Sequence, residues 1–154
     1  MFTNGYDSGS SLNSWLEDPK KDLNTVSTYE ISAKGSRLNS DLSLEVTTSN
    51  LKNSYDSSDI RLFVAAVMAR VIYPGSFNGM YEHHNVVIEQ LLGNSGKQIQ
   101  YIANSNYMES FNWSIPQSWK NNSEIRWSAG NLKIVVWIQD YRSKEILQSA
   151  EFKF

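Results

Sequence analysis

The sequence has 154 residues, a hydrophobic fraction of 40%, an aromatic fraction of 12% and a net charge of −2. A chain of this size fits one domain able to bury a sizeable core. Apart from the Lys20-Lys21 pair its Lys and Arg residues are scattered singly, so no basic stripe exists for phosphate backbones, which excludes charge-driven nucleic-acid binding. The lack of cysteine excludes a disulfide scaffold, a thiolate metal site, an iron–sulfur cluster and a thiol nucleophile.

Residues 1–24, "MFTNGYDSGSSLNSWLEDPKKDLN", read as a leader separate from a β-domain spanning 25–154. Ser11 or Asn13 can cap a short helical turn around Trp15 and Leu16, and Pro19 limits its continuation. From Val26 the pattern has period two. Tyr29, Ile31 and Ala33 share one face, then Leu38, Leu42, Leu44 and Val46 share another, with Gly35-Ser36 as the expected hairpin turn between the runs. Residues 49–58 form a polar loop.

"DIRLFVAAVMARVIYP" (59–74) is apolar on both faces, as expected of a central strand covered on each side. A helix is the alternative; the β-branched residues and the terminal Pro74-Gly75 favour the strand. Arg70 interrupts this stretch, and it is too short to span a bilayer. "GSFNGM" is a loop. "HNVVIEQLLG" is compatible with a short helix ended by Gly93. A turn at "GNSGKQ", a short strand "IQYIA" and the alternation of Tyr107, Phe111, Trp113 and Ile115 follow. The clearest signal closes the chain. Leu132, Ile134, Val136 and Ile138 alternate with Lys133, Val135, Trp137 and Gln139, and after "DYRS" a second strand carries Ile146, Ala150, Phe152 and Phe154. Some seven short strands with few helical windows predict an all-β, antiparallel, immunoglobulin-like β-sandwich preceded by a short helical leader.

The candidate sites are few. His83 and His84 are the only histidines, adjacent to each other and to Glu82. Neighbours on a strand point to opposite faces, so the two imidazoles do not converge on one ion, and no third histidine or cysteine completes a zinc site. No G-x-S-x-G elbow is present, and "GNSGK" lacks Walker spacing. Carboxylates paired for glycoside chemistry would leave no sequence spacing to read. Trp119, in the polar stretch "PQSWKNNS", is the best candidate for an exposed ligand platform. Trp113 shares a face with Phe111 and Ile115 and reads as core. No catalytic residue, metal or cofactor is expected.

"YEHHNVV", "FNWSIPQSW" and "NLKIVVWIQDYRSKEILQSAEFKF" resemble the C-terminal β-domain of the Bacteroidetes twenty-eight-kilodalton outer-membrane protein group. That family has a thioredoxin-like segment ahead of its β-sandwich. The resemblance covers roughly Ile60 to Phe154. "FTNG" and "LNSWLEDPKKDLN" are similar to the last strand and helix of a thioredoxin fold, although no Cys-x-x-Cys is present. The resemblance implies that His83, His84 and Asn85 form a structural motif where a long strand hands over to a connection. There the imidazoles would bond loop backbone, while Val86, Val87, Leu91 and Leu92 would plug the sandwich.

The expected function is a non-catalytic accessory or binding module of an exported bacterial protein, not membrane-spanning, with a protein or glycan partner. The polar first residues do not read as a secretory signal, so export rests on the resemblance alone. The alternatives are an accessory domain of a thioredoxin-like oxidoreductase whose catalytic part lies elsewhere, and a carbohydrate-binding module using Trp119.

Overall fold

A computed structural model describes residues 26–51, 59–101 and 105–153. The leader, its expected helical turn at Trp15 and Leu16, most of the 49–58 loop and Phe154 lie outside the described residues. The rest is an all-β sandwich of two antiparallel sheets.

The first sheet comprises β1 (Tyr29–Leu38), β2 (Asp41–Asn50) and β6 (Asn106–Ser114), in the order β1-β2-β6. The second comprises β3 (Ile60–Ile72), β4 (Glu82–Gln90), β7 (Leu132–Asp140) and β8 (Ile146–Lys153), in the order β4-β3-β7-β8. The two-residue β5 (Lys97–Gln98) pairs with β3 at Arg61 and Leu62. A single helical turn, α1 (Gln117–Lys120), and a 3-10 turn at Ala129–Asn131 join β6 to β7.

The core forms where the alternating faces meet. Leu42, Leu44 and Val46 of β2 face Ile60, Leu62, Val64, Ala66 and Met68 of β3 and Leu132, Ile134, Val136 and Ile138 of β7, all at most 3% exposed. Each fully buried aliphatic side chain of this kind contributes about 1.5–3 kcal/mol. The helical alternative for 59–74 fails because β3 is central, hydrogen-bonded to β4 on one side and β7 on the other.

Four expectations are corrected. The first hairpin turns at Asn39-Ser40, not Gly35-Ser36. β1 continues through Gly35, opposite Leu44, and Asn39 takes the left-handed conformation (φ 54°) that its short polar side chain tolerates. Leu38 therefore ends β1 at 75% exposure instead of joining the face of Leu42. "HNVVIEQ" is strand, not helix, because pairing with β3 satisfies its backbone through Gln90; Gly93 (φ 73°) serves the turn that follows. The short strand expected at "IQYIA" (99–103) falls two residues earlier, at Lys97–Gln98, with Ile99 to Tyr101 outside any strand and Ile102 and Ala103 outside the described residues.

Two bulges adjust the phase. Ile88 is the extra residue opposite Ala66/Val67, and Leu147 is the extra residue opposite Ile138/Gln139, which puts Leu147 rather than Ile146 against the core. Side chains then close both edges between the sheets. At one edge Gln148 Nε2 donates to Tyr29 O (3.0 Å) and Ser27 Oγ donates to Leu147 O (2.9 Å). At the other, Trp113 Nε1 donates to Glu89 Oε2 (2.9 Å) and Lys97 Nζ to Glu109 Oε2 (2.7 Å). Inside, Tyr101 Oη donates to Thr48 Oγ1 (2.8 Å), a buried polar pair that links β2 to the segment after β5.

Candidate functional site

The β3–β4 connection, residues 73–81, is short and held at its base by backbone bonds. Tyr73 N donates to Tyr81 O (2.8 Å), while Ile72 and Arg126 exchange bonds of 2.9 and 2.8 Å. Within the loop Met80 N donates to Asn78 Oδ1 (3.0 Å), Ser76 Oγ bonds Asn78 Oδ1, and Gly79 adopts φ +73° with open space around it. Gly75 lies against the Tyr73 ring, 3.3 Å from where a Cβ would stand. This turn chemistry fixes a loop whose large side chains face outward: Phe77 is fully exposed, with Met80 at 58% and Tyr81 at 61%.

A charged cluster sits beside the loop, where β3 and β4 pair. Arg70 is opposite His84 in the ladder, and its guanidinium clasps Glu82 with two bonds, Nε to Oε1 (2.8 Å) and Nη2 to Oε2 (2.9 Å). His84 Nε2 lies 3.0 Å from Glu82 Oε1. The Arg70 hydrogen bonds hold the Glu82 carboxyl below the usual carboxylate range, offsetting its partial desolvation, and raise the Arg70 pKa in turn. A carboxylate whose oxygens are both occupied in this way is a positioned charge and a poor proton acceptor at neutral pH.

The two histidines diverge, as adjacent strand residues do. His84 is exposed on the Arg70 side, whereas His83, opposite Val71, is half-buried, its Nε2 buried without a hydrogen-bond partner among the described residues. Asn85 follows in the left-handed region (φ 56°). Past it Val86 faces the core, so Asn85 shifts the inward phase of β4 by one residue. His83, His84 and Asn85 thus mark the start of a strand. His84 bonds Glu82 and not loop backbone, and Val87 is 54% exposed while Val86, Leu91 and Leu92 pack on the core. No group of three His, Cys, Asp or Glu side chains among the described residues is placed to hold a metal ion.

Trp119 does not stand free in a loop. It lies in α1, half-buried against the core, and its carbonyl accepts from Trp127 Nε1 (3.0 Å). Trp113 is half-buried as its alternation predicts. The exposed trio Phe77, Met80 and Tyr81 escaped the sequence reading. Its only signal was an aromatic and a methionine set among Pro74-Gly75 and Asn78-Gly79, where turns ordinarily carry small polar residues.

No helix among the described residues is long and apolar enough to cross a membrane. No family model and no curated protein sequence matches the chain. Among solved structures the chain is similar to a domain of the outer membrane lipoprotein Omp28 from Porphyromonas gingivalis. The TM-score is 0.57 at 13% identity, over 84% of this chain and 90% of that one. The β-sandwich is therefore shared with a domain of a bacterial outer-membrane lipoprotein.

Proposed function

We propose that the chain is a non-catalytic accessory or binding module of an exported bacterial protein, and that it engages a protein partner through the β3–β4 loop. The carrying observation is the trio Phe77, Met80 and Tyr81, exposed on a loop that its own hydrogen bonds fix in place. Large apolar side chains held outward in a fixed geometry lose little entropy on binding and give an interface its central anchors. The Arg70–Glu82–His84 cluster beside them supplies a polar rim. Loops at the end of a rigid sandwich are the usual place for such a function, in immunoglobulin-like architectures especially. Export is supported by the fold shared with an outer membrane lipoprotein domain. The carbohydrate-module alternative is weaker, because Trp119 packs against the core.

The test is retention of envelope proteins from the source bacterium by the immobilised chain, compared with Phe77→Ser/Met80→Ser. Specific retention that the double substitution abolishes supports the proposal. Equal retention by both proteins, or turnover of a substrate by the purified chain, refutes it.

A further inference from the structure

The geometry points to a second copy of this chain as the partner of β6, docked strand to strand across a two-fold axis at Ser110. Each sheet ends in two long strands with one unpaired side, β1 and β6 in the smaller and β4 and β8 in the larger. A bare strand edge is a template for another chain, and proteins ordinarily spoil it with a bulge, a bend or a charge. Three of these edges are spoiled in that way. β4 carries the left-handed Asn85 and the bulge at Ile88. β8 carries the bulge at Leu147, and its Ser149 N–H is taken by Gln148 Oε1 (2.9 Å). β1 turns Arg37 to the face of Leu42, exposes Lys34, and has its Tyr29 carbonyl occupied by Gln148.

β6 has none of these devices. Its residues pair with β2 without a register shift, from Ser114 opposite Asp41 to Asn106 opposite Ser49. The strand contains no proline, glycine, lysine or arginine, and its one charge, Glu109, is neutralised by Lys97 Nζ at 2.7 Å. Met108, 56% exposed, is the one apolar side chain among the outward Asn106, Ser110, Asn112 and Ser114. Just past the strand, Ile115 N donates to Ser40 O (3.0 Å). Bonded residues alternate along an antiparallel ladder. Trp113, Phe111, Glu109 and Tyr107 therefore bond β2, while Asn112, Ser110 and Met108 aim N–H and C=O at the open side. Among the described residues nothing bonds those groups.

The strand is complementary to itself. With Ser110 opposite Ser110 of the second copy, Met108 meets Asn112 and each such pair exchanges both of its hydrogen bonds. Glu109 meets Phe111. Tyr107 meets Trp113 in a non-hydrogen-bonded pair, where side chains lie closest and aromatic pairs stabilise the ladder. Only this pivot overlaps the whole of β6. A pivot at Glu109 sets that carboxylate against its own copy, a like-charge pair that opposes docking. The smaller sheet then runs unbroken through both copies. Arg126, in the connection after β6, bonds Ile72 at the base of the β3–β4 loop, so that loop lies at the Ser114 end of β6. Antiparallel docking points the two loops in opposite directions and leaves both uncovered.

The chain lacks cysteine, so a single thiol reports one contact. Facing residues of a hydrogen-bonded pair have Cα atoms about 5.5 Å apart, within disulfide reach. Ser110→Cys is compared with Ser43→Cys, also exposed but on β2 and away from the axis. The expected result is a disulfide-linked dimer that forms at least about tenfold faster from the Ser110→Cys chain. Light scattering gives the second readout. The parent chain is expected at twice its 17.6 kDa mass, and Ser110→Pro, which removes an N–H that β2 does not use, at the single mass. Equal disulfide rates overturn the proposal. A parent chain of single mass at every concentration overturns it too, and leaves the edge to a strand of another protein. A dimer that survives Ser110→Pro places the contact elsewhere and has the same consequence. If Ser110→Pro fails to fold, the disulfide comparison decides alone.

Discussion

Removing either member of the Tyr101–Thr48 pair should cost more than removing both. Thr48 is 1% exposed and Tyr101 6%, and their 2.8 Å hydrogen bond joins β2 of one sheet to the segment that follows β5 of the other. Tyr101→Phe deletes the bond and leaves the Thr48 hydroxyl in an apolar core, where an unsatisfied polar group costs about 1–3 kcal/mol. Thr48→Val does the same to the Tyr101 hydroxyl while keeping the volume. Each single substitution is therefore expected to destabilise by about 2 kcal/mol, lowering the midpoint of thermal unfolding by roughly 4–8 °C for a domain of this length. The double variant replaces the pair with matched apolar groups and should lie within about 1 kcal/mol of the parent, so the cycle gives a coupling of about 3 kcal/mol or more. Urea unfolding followed by tryptophan fluorescence measures all four proteins at an unchanged m-value. Additive single effects, with a coupling near zero, would refute the buried pair. The same pair has an alkaline signature. Burial pushes the Tyr101 hydroxyl up to about 12, outweighing the opposing effect of the Thr48 bond. A group whose folded pKa is raised contributes stability that is fully present below its unfolded value, near 10, and is lost as pH rises through the folded one.

Other consequences follow from single residues. Hydrogen bonds from Arg61, Arg70 and Lys133 depress the carboxyls of Asp59, Glu82 and Glu151, while at Glu109 bonds from Lys97 and Tyr107 more than offset the upward push of burial. Stability from these groups is present above the ordinary carboxylate range and lost as pH falls through their lowered values, so urea midpoints should drop below about pH 4; a flat profile from pH 7 to 3 would contradict this. Gly96→Ala, at φ +63° with its new Cβ 2.8 Å from Leu62 O, should destabilise by about 2–4 kcal/mol. Gly79→Ala has a similar φ but open space, and should cost about 1–2 kcal/mol; equal effects in calorimetry would show that the Gly96 contact does not matter. Asn85→Gly should change stability by less than about 0.5 kcal/mol and Asn85→Val should lower it by about 2 kcal/mol, because a β-branched side chain resists the left-handed conformation; similar unfolding midpoints for the two variants would refute that conformation.

The strands that build the core could be read because their alternation is unbroken. Leu42 to Val46 and Leu132 to Ile138 carry apolar residues at every second position, whereas the doubly apolar run at 60–72 suits a helix as well, and only its β-branched residues and the Pro74-Gly75 that follows favour the strand it forms. What escaped was set by local chemistry that alternation does not encode. Asn39-Ser40 outcompeted Gly35-Ser36 for the turn because pairing with Leu44 and Ser43 keeps Gly35 and Ser36 within the strand. The i, i+4, i+5 apolar spacing of Val87, Leu91 and Leu92 imitates a helix face, but Val87 points outward from β4 while Leu91 and Leu92 pack on the core from the turn beyond it. Of the candidate site, the divergence of His83 and His84 was legible from strand geometry. The outward set of Phe77 was not, since a loop's side chains have no period and their exposure depends on bonds such as Met80 N to Asn78 Oδ1.

The most direct test of a binding role for the β3–β4 loop is site-resolved photo-cross-linking to other proteins in cells that produce the chain, with the reactive side chain placed in turn at Phe77, at Trp119 and at Ser110 on the outer face of the smaller sheet. The expected result is a discrete protein adduct from position 77 alone. Adducts from 119 or 110 with none from 77 would contradict it, and would move the functional surface to another part of the sandwich.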